Sequence, residues 1–287
     1  MSVHEGSQGV DEPRHGLRIF IVWAVLTAIL EALVIWVIGP HIPPARVSSA
    51  SGAQHEVMLF LTLGSVPVLM LIWVYFGYAV TFFRAPRGAI VDGPPIRSHS
   101  GLQVTWLAVT TFLVLALAIT GTFDLLDNAG AGSGEGSNPL SVPGNAKKAL
   151  QIQVIGQQWL WTFRYPSYGG VETTQLEIPV GRQIEFHVTS LDVIHSFWAY
   201  ELGVKADAVP GADNVAFVRA YKTGSFQVRC SELCGLWHGH MNTTGHVVTG
   251  SQFTSWIHAT VKKYAAVTKD LPPYSLTYYP QPIRNAT

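Results

Sequence analysis

The chain has 287 residues, 48% of them hydrophobic, and equal numbers of acidic and basic side chains give a formal net charge of zero. A neutral chain argues against a nucleic-acid partner, and two cysteines are too few for a disulfide scaffold. The first half is apolar and the second half is rich in β-forming residues, so we expect a membrane anchor followed by a soluble domain.

Three long apolar runs occupy the first half of the chain. They cover Leu17–Ile38, Val57–Phe83 and Leu102–Phe123. A run of about 20 apolar residues is long enough to cross a bilayer as a helix. The last two runs therefore predict a transmembrane helical hairpin over residues 56–126, with helices at about 57–83 and 102–123.

The first run belongs to an N-terminal leader, residues 1–55, and allows two interpretations. Its length favours a retained helix, but the small residues at 47–53 would suit cleavage of a signal sequence. Glu31 lies within the run, where a carboxylate is costly. This side chain is either a proton or partner contact or a neutral, hydrogen-bonded group.

Arginines predict the orientation of the hairpin. Arg84, Arg87 and Arg97 lie between the second and third runs, whereas Arg46 is alone between the first and second. Because positively charged loops stay in the cytoplasm, the third run should carry the chain from the cytoplasm across the membrane. We therefore expect a multi-pass protein of a bacterial plasma membrane whose soluble domain is periplasmic or otherwise extracytoplasmic.

The chain after the third run changes character twice. Residues 127–145 are rich in Gly, Ser and Pro, as in flexible linkers. Within residues 146–264, short β-forming runs bounded by turn residues predict six or seven strands and a Greek-key sandwich or barrel. Helical spacing over 251–264 predicts a last helix capped by Ser251. Pro and Tyr then predict an extended tail over 265–287.

Both cysteines stand in one stretch, CSELCGLWHGHM, residues 230–241. Outside the cytoplasm Cys230 and Cys234 could form a disulfide, although so small a loop would be strained. They could instead bind a soft metal together with His238 and Met241. A thioether favours copper over zinc, and the second cysteine exceeds what a mononuclear blue-copper site requires. Two bridging thiolates could hold two copper ions if a further imidazole joins them.

The spacing leaves the source of that imidazole open. His195 follows a predicted strand ending near Ser190, which places it in a loop at the mouth of the sandwich. His187 lies within a predicted strand of alternating pattern, where we expect a packed or surface side chain and not a metal ligand. His240 should point away from a metal held by the cysteine stretch. The remaining candidates are His246 and His258.

Two segments resemble subunit II of the haem-copper cytochrome c oxidases: HSFWAYELGVKADAVPG and GSFQVRCSELCGLWHGHM. The family pattern is a His-Ser-Phe loop followed by Cys-Ser-Glu-x-Cys-Gly-x-x-His-x-x-Met, and the 35 residues from His195 to Cys230 fit it. The segment QWLWTFRYP is similar as well, and the likeness covers about residues 56–264. The resemblance implies a membrane-anchored all-β protein, in which a transmembrane hairpin precedes a cupredoxin-like Greek-key β-sandwich or barrel. The length of the first apolar run adds an expected extra N-terminal helix.

The resemblance further implies that the domain over 146–264 carries CuA, a dinuclear copper centre. By position, Cys230 and Cys234 would bridge both coppers. His195 and His238 would each cap one copper. Two thiolates spread one electron over two metals, so the geometry should change little on reduction.

Two weak ligands and one aromatic residue complete the site that the resemblance implies. Met241 and the backbone carbonyl of Glu232 would be the outer ligands. The Glu232 carboxylate would face subunit I and a magnesium or manganese ion shared with it. Trp159 would be the exposed aromatic through which electrons arrive, whereas on spacing alone it is an ordinary hydrophobic strand residue. No haem is expected on this chain, because it has no Cys-x-x-Cys-His motif.

The function implied by the resemblance is that of the electron-accepting subunit of a membrane-bound cytochrome c oxidase, an oxidoreductase and proton translocase. It would take electrons from cytochrome c, or from a haem c domain, at CuA. It would pass them to the haem of subunit I, where dioxygen is reduced to water. The chain has no nucleophile–base motif and no phosphate loop of its own.

Three alternatives stand beside this interpretation. One is a membrane-anchored copper-binding electron carrier or copper chaperone without an oxidase partner. Another is a structural domain with a Cys230–Cys234 disulfide. A quinol-oxidase subunit is disfavoured, because such subunits have lost the copper ligands and every one of them is present here.

The sequence departs from the family at positions that concern protons and charge. Many members carry a Glu near the start of the last membrane helix as a proton entrance to the partner subunit, and here the residue is Gln103. Arg229 precedes the first cysteine, where an uncharged residue is common. From Asn145 onward, 12 Lys/Arg against 9 Asp/Glu leave a net charge of +3. We therefore expect a neutral or acidic cytochrome, or a haem domain held in a supercomplex, as the donor.

Overall fold

The structure is a computed structural model that describes residues 14–42, 46–84, 98–127 and 142–269. The chain divides into two units. The first unit comprises Met1–Ile42 and Val57–His99, and the second comprises Pro43–Glu56 and Ser100–Thr287.

Three long helices form where the apolar runs predict them. They are α1 (His15–Leu33), α2 (Ser49–Phe82) and α3 (Ser100–Asp127). A π-helical turn, Val34–Ile38, and a 3₁₀ turn, Gly39–His41, extend α1. All three helices are long and apolar enough to cross a membrane, so a membrane-anchored chain is confirmed.

Helix α2 begins eight residues earlier than predicted, because Ser48 provides a cap. The Ser48 hydroxyl accepts a hydrogen bond from the Ser51 amide at 3.1 Å, which satisfies a free N–H group of the first turn. The small residues considered above as a cleavage segment, 47–53, thus form the cap and first turn of this helix.

Within the first unit, α1 contacts α2 through polar groups near both ends of their overlap. The Trp23 indole N–H donates to the carbonyl of Pro67 at 2.8 Å. His15 Nδ1 lies 2.7 Å from the Tyr78 hydroxyl. Polar contacts of this kind fix the register of two helices whose apolar faces are otherwise interchangeable.

Ten strands follow in the second unit. They are β1 (Leu150–Gln157), β2 (Leu160–Tyr165), β3 (Val171–Thr173), β4 (Leu176–Pro179), β5 (Gln183–Ser190), β6 (His195–Ala199), β7 (Val204–Ala208), β8 (Asn214–Arg219), β9 (Gly224–Cys230) and β10 (Asn242–Val248).

The strands form two five-stranded sheets, with orders β3-β2-β1-β5-β8 and β4-β10-β9-β6-β7. The β1–β5 and β4–β10 pairs are parallel and the other pairs are antiparallel. The chain passes from one sheet to the other after β3, β4, β5, β7 and β8. These crossings confirm a cupredoxin-like Greek-key β-sandwich.

The ten strands exceed the predicted six or seven. The alternating residues at 171–179 form two strands, because the chain turns between Thr173 and Leu176 and places β3 and β4 in different sheets. Strands β6 and β7, which the sequence did not predict, form an antiparallel hairpin with His195 opposite Ala208. His195 is consequently the first residue of a strand and not a loop residue, so its backbone is held by pairing on the sheet.

The last helix, α4 (Gly250–Thr268), begins with a different cap from the one predicted. Thr249, not Ser251, is the N-cap, and its hydroxyl accepts from the Gln252 amide while the Gln252 side chain accepts from the Thr249 amide. The helical spacing predicted for this segment is correct, and it places Phe253 and Ile257 on the face that is buried against the sandwich.

The predicted linker and tail boundaries need correction where the structure describes them. Asp127 still belongs to α3, and the turn at 143–146 is closed by a hydrogen bond from Ala146 N to Pro143 O. The helix-forming residues after Tyr264 continue α4 to Thr268 instead of starting an extended tail. The rest of both segments lies outside the described residues.

One hydrophobic core fills the space between the sheets. Its largest members are aromatic and aliphatic side chains from both sheets, and Cys230, Cys234 and Met241 lie at its edge. The end of the sandwich that carries these three residues is also the end where β5 stops and β6 starts. The sheets therefore bring the cysteine stretch and His195 to one place.

Candidate metal centre

Hydrogen bonds close the cysteine stretch into a tight loop between β9 and β10. Cys230 N donates to Met241 O at 3.0 Å, so the first and last residues of the loop are joined. Ser231 N donates to Ser196 O at 3.0 Å, which ties the loop to β6. This pairing places the loop directly beside the start of β6, where His195 stands.

Two sulfur atoms and two imidazoles form the centre of the site. The Sγ atoms of Cys230 and Cys234 are 3.7 Å apart, and both thiols are free. His195 Nδ1 lies 3.8 Å from Cys230 Sγ, and His238 Nδ1 lies 3.5 Å from Cys234 Sγ. Each thiol thus has one imidazole nitrogen beside it, and the structure does not contain the alternative disulfide.

Two weaker donors adjoin this core. The thioether Sδ of Met241 lies 3.8 Å from Cys234 Sγ. The backbone carbonyl oxygen of Glu232 lies 3.2 Å from Cys230 Sγ, while its carboxylate is exposed. The five side chains and the one carbonyl predicted as metal ligands therefore lie together around the two sulfur atoms.

The two thiols have opposite pKa shifts. Burial favours the neutral thiol of Cys230, but hydrogen bonds from His195 and from the backbone outweigh it and lower its pKa to about 6. Burial and the neighbouring Cys230 raise the pKa of Cys234. The pocket thus stabilises a thiolate, the form of cysteine that binds soft metals.

Asp192 holds His195 from the side opposite the sulfur atoms. His195 Nε2 lies 2.9 Å from Asp192 Oδ1, leaving Nδ1 directed at Cys230. Burial disfavours the charged imidazole, but the contacts with Cys230 and Asp192 raise the pKa of His195. A carboxylate behind a metal-binding imidazole fixes its tautomer and increases its basicity.

Close packing also limits the position of the His195 ring. A Cβ atom added to Gly156 would lie 3.1 Å from the His195 ring and 3.1 Å from the Trp161 ring. Trp161 is fully buried and makes an edge contact with His195 at 6.0 Å between ring centroids. The ring therefore has little freedom to rotate away from the thiols.

The backbone carbonyl of Cys234 accepts two hydrogen bonds from the β1–β2 turn. The Gln158 side-chain amide donates at 2.8 Å and the Trp159 indole N–H donates at 3.1 Å. Trp159 is half-buried, not the exposed aromatic that the resemblance implied, because this hydrogen bond draws its indole against the loop.

The other candidate imidazoles do not join the site. His187 is buried against Asp213, whose carboxylate lies 2.9 Å from its Nδ1. His240 is exposed and lies against Trp237, with ring centroids 5.2 Å apart. The remaining two, His246 and His258, are exposed on β10 and α4. Of the possible second imidazoles, His195 is the one that the described chain brings to the thiols.

Sequence reasoning missed Asp192 and Gln158. Asp192 precedes His195 by three residues, and this acid–imidazole spacing was a signal that could have identified it. Gln158 gave no comparable signal, because its contact with the cysteine loop spans 76 residues and depends on the packing of two turns.

Comparison with known proteins identifies a family to which this chain is similar. The family model for "Cytochrome C oxidase subunit II, periplasmic domain" matches residues 172–248. The cytochrome c oxidase subunit 2 of Synechocystis sp. is 24% identical over 274 residues, covering 83% of this chain and 82% of that protein. That of Thermostichus vulcanus is 26% identical over 279 residues, covering 82% and 84%.

A solved structure gives higher sequence identity over the soluble part. The periplasmic domain of subunit II of cytochrome oxidase from Bradyrhizobium japonicum is 37% identical. The match covers 40% of this chain and 95% of that domain, with a TM-score of 0.39. The family match covers the strands that carry the thiols, and the two cytochrome c oxidase subunits 2 are matched over 82% and 84% of their own length. The chain therefore belongs to the cytochrome c oxidase subunit II family, a part of an oxidoreductase complex.

Proposed function

We propose that this chain is the electron-accepting subunit of a membrane-bound cytochrome c oxidase. It takes electrons from a cytochrome c or a haem c domain at a dinuclear CuA centre and passes them to the haem of subunit I. There dioxygen is reduced to water, coupled to proton translocation. The observation that carries this proposal is the convergence of two free thiols, two imidazoles, a thioether and a carbonyl in one cluster, in which His195 and both thiols are buried.

The donor atoms fit copper in type and in spacing. Thiolate sulfur binds soft metals such as copper and zinc, the thioether of Met241 favours copper over zinc, and imidazole suits copper as well. Metal–ligand bonds of about 2.0–2.3 Å leave neighbouring ligand atoms about 3–4 Å apart. The thiol–thiol and thiol–imidazole separations of 3.5–3.8 Å lie in that range.

Each residue has a distinct task in this proposal. Cys230 and Cys234 would be shared by the two metal positions, and His195 and His238 would each hold one of them. Copper bound there would supply a one-electron couple. Met241 and the Glu232 carbonyl would be the weaker donors, through which a protein adjusts the potential of a copper site.

The surroundings keep these ligands still as the charge of the site changes. Asp192 orients the His195 ring, and Gly156 permits Trp161 to pack behind it. Gln158 and Trp159 hold the Cys234 carbonyl. A rigid site changes little in geometry between oxidation states, which lowers the energy needed to move an electron.

Trp159 is the residue through which we propose that electrons arrive. Its half-buried indole reaches the surface on one side and donates to the carbonyl of the bridging residue Cys234 on the other. This hydrogen bond supports a short connection between the surface and the metal positions.

The oxidase setting follows from the family and from the anchor. The chain would assemble with the haem-bearing subunit I and further oxidase subunits in a bacterial plasma membrane, with the copper domain on the periplasmic side. The exposed carboxylate of Glu232 would contribute to a magnesium or manganese ion shared with subunit I.

Metal analysis of the protein purified from membranes tests the proposal. We expect about two copper ions per chain and co-purification of a haem-bearing subunit. Replacing Cys234 by Ser should break up the cluster and reduce the copper content to one ion or none. The matched control is Ser231→Ala, whose backbone contact with Ser196 O is kept.

Two results would contradict the proposal. An intact two-copper site in the Cys234→Ser variant would refute the bridging role. Copper-loaded protein that never associates with a haem subunit would favour the carrier or chaperone alternative.

A further inference from the structure

Helices α1 and α2 leave an apolar groove between them, near the end of the pair where α1 begins and α2 ends. Its volume is about 700 Å³. Val22 and Leu26 form part of the wall on α1, and Trp73 and Phe82 form part of the wall on α2. These four side chains remain between 41% and 61% exposed, so no described part of the chain fills the groove.

A single cationic side chain lines this groove. Arg18 stands in the first turn of α1 and is exposed. Glu31, the one acidic residue that the structure describes in the first unit, lies about 20 Å farther along α1. Among the described residues of that unit, the Arg18 guanidinium therefore has no carboxylate partner. Arg14 and Arg84, at the start of α1 and just past the end of α2, add positive charge at the same end.

The groove is about as long as one leaflet of a bilayer. From Met70 to Phe82, its wall on α2 extends about 18 Å. The hydrocarbon core of a bilayer is about 30 Å thick, so one leaflet accounts for about 15 Å. A transmembrane helix of a partner would cross both leaflets, whereas the acyl chain of a phospholipid ends near the midplane. The length of the groove therefore suits an acyl chain.

We propose that this groove binds one anionic phospholipid, with an acyl chain between α1 and α2 and its phosphate on the Arg18 guanidinium. The planar guanidinium matches phosphate through two parallel hydrogen bonds. The further arginines at this end favour a headgroup with a net negative charge, such as phosphatidylglycerol, over a zwitterionic one. The lipid would come from the leaflet beside the arginine-rich loop, which we predict to be cytoplasmic.

A lipid in this position would hold the first helix against the second. The acyl chain would contact both helices, because the groove has a wall on each of them. The polar contacts from Trp23 to Pro67 and from His15 to Tyr78 would then be supplemented by apolar packing. The site lies within the first unit and does not depend on the proposed electron transfer.

Native mass spectrometry tests the proposal on the protein extracted from membranes with its associated subunits and then delipidated. The two probes are dioleoylphosphatidylglycerol and dioleoylphosphatidylcholine. We expect the anionic probe to bind about five- to tenfold more tightly, at one site per chain. Excess inorganic phosphate should not displace it, because the acyl chain supplies the apolar part of the binding. Equal binding of the two lipids, or displacement by phosphate, would overturn the proposal.

Substitution of Arg18 tests the phosphate contact. Arg18→Gln should weaken binding of the phosphatidylglycerol probe about five- to tenfold and leave the phosphatidylcholine probe unchanged. Arg18→Lys should keep most of the difference between the probes, because the charge remains. The matched control is Arg46→Gln, an exposed arginine that precedes the other end of α2. Unchanged binding of the anionic probe in Arg18→Gln would refute the assignment of the phosphate to Arg18.

A glycine in the groove tests the position of the acyl chain. Gly77 lines the groove, and a Cβ added there meets nothing within 4 Å, so Gly77→Leu would fill the space without displacing either helix. Binding of both probes should fall about tenfold. Gly64→Leu is the control, because Gly64 lies on the same helix outside the groove and is equally open.

Two further results would count against the site. Equal lipid binding in the Gly77→Leu and Gly64→Leu variants would show that the acyl chain lies elsewhere. Absence of phosphatidylglycerol binding to the unaltered protein with its subunits would show that a neighbouring subunit fills the groove, and would also overturn the proposal.

Discussion

Asp192 and His195 form a pair in which one residue directs the other. The 2.9 Å contact between Asp192 Oδ1 and His195 Nε2 leaves Nδ1 as the free nitrogen beside Cys230. The carboxylate also accepts from the Gln158 and Val193 amides, which fixes its own position and lowers its pKa despite partial burial. The loop before β6 therefore determines the orientation of the His195 imidazole through Asp192.

Replacing Asp192 by Asn should weaken copper binding about 10- to 100-fold, because the amide can no longer hold His195 as a carboxylate does. Copper affinity measured by competition with a chelator checks this prediction. Asp207→Asn is the control, since its carboxylate accepts from the Ser196 hydroxyl and does not touch an imidazole. Equal copper affinity in the Asp192 variant and in the unaltered protein would contradict the positioning role.

The residues offered as metal donors could be predicted because their chemistry and spacing are local. Cys230, Cys234, His238 and Met241 lie within twelve residues, and the likeness to a known pattern added His195. The supporting contacts could not be predicted in the same way. Gln158 reaches the Cys234 carbonyl only because two turns distant in sequence pack together, and no residue pattern encodes that contact.

Strands β9 and β10 depend on one close approach between a glycine and an aromatic ring. Gly245 on β10 pairs with Phe226 on β9, and an added Cβ would collide with the buried Phe226 ring. The Gly245→Ala substitution should therefore destabilise the protein by about 1–3 kcal/mol, the usual cost of overpacking a core.

Thermal unfolding of the detergent-solubilised protein measures that change. Gly250→Ala serves as the control, because a Cβ at Gly250 meets nothing within 4 Å and Ala favours the first turn of α4. An unfolding temperature for Gly245→Ala no lower than that of Gly250→Ala would show that the ring can move aside at no cost.

A buried ion pair links β5 to the segment before β8. His187 Nδ1 lies 2.9 Å from Asp213 and its Nε2 lies 3.5 Å from Glu185. Burial lowers the pKa of His187, but the hydrogen bond to Asp213 and the negative charges of the two nearby carboxylates outweigh it and raise the pKa to about 9. The folded protein thus binds a proton that the unfolded chain releases near pH 6.5.

The stability that this proton provides should be complete below about pH 6.5 and lost as the pH rises through about 9. A shift of this size corresponds to a loss on the order of 3 kcal/mol. Thermal unfolding between these pH values should show the decline in the unaltered protein and a flatter profile in His187→Gln, with His258→Gln, exposed on α4, as the control. Parallel profiles for all three proteins would contradict the assignment.

The regular strands were predictable from alternation, but the β6–β7 hairpin was not. Two five-residue strands, β6 and β7, are separated by a 3₁₀ turn at Tyr200–Leu202. The residues before Gly203, HSFWAYEL, contain no clear turn signal. β6 forms by pairing with β9 as well as with β7, and such long-range pairing overrides local pattern. The missed hairpin is the element that carries the second imidazole.

The described chain combines three helices apolar enough to cross a membrane with a β-sandwich domain. Its helices could be predicted because about 20 apolar residues in a row have few alternatives to a membrane span. Cap positions and helix ends could not, because they depend on single side chains such as Ser48 and Thr249. The domain that carries the cysteine loop could be predicted as a β-sandwich, while the sheet orders required the structure.

Electron paramagnetic resonance of the copper-loaded protein, purified with its membrane helices, tests the central claim most directly. If Cys230 and Cys234 bridge two coppers, the unpaired electron of the oxidised protein is shared equally by both ions, and the spectrum shows hyperfine splitting from two equivalent copper nuclei. A four-line spectrum from one copper, or from two independent coppers, would contradict a dinuclear centre in this loop.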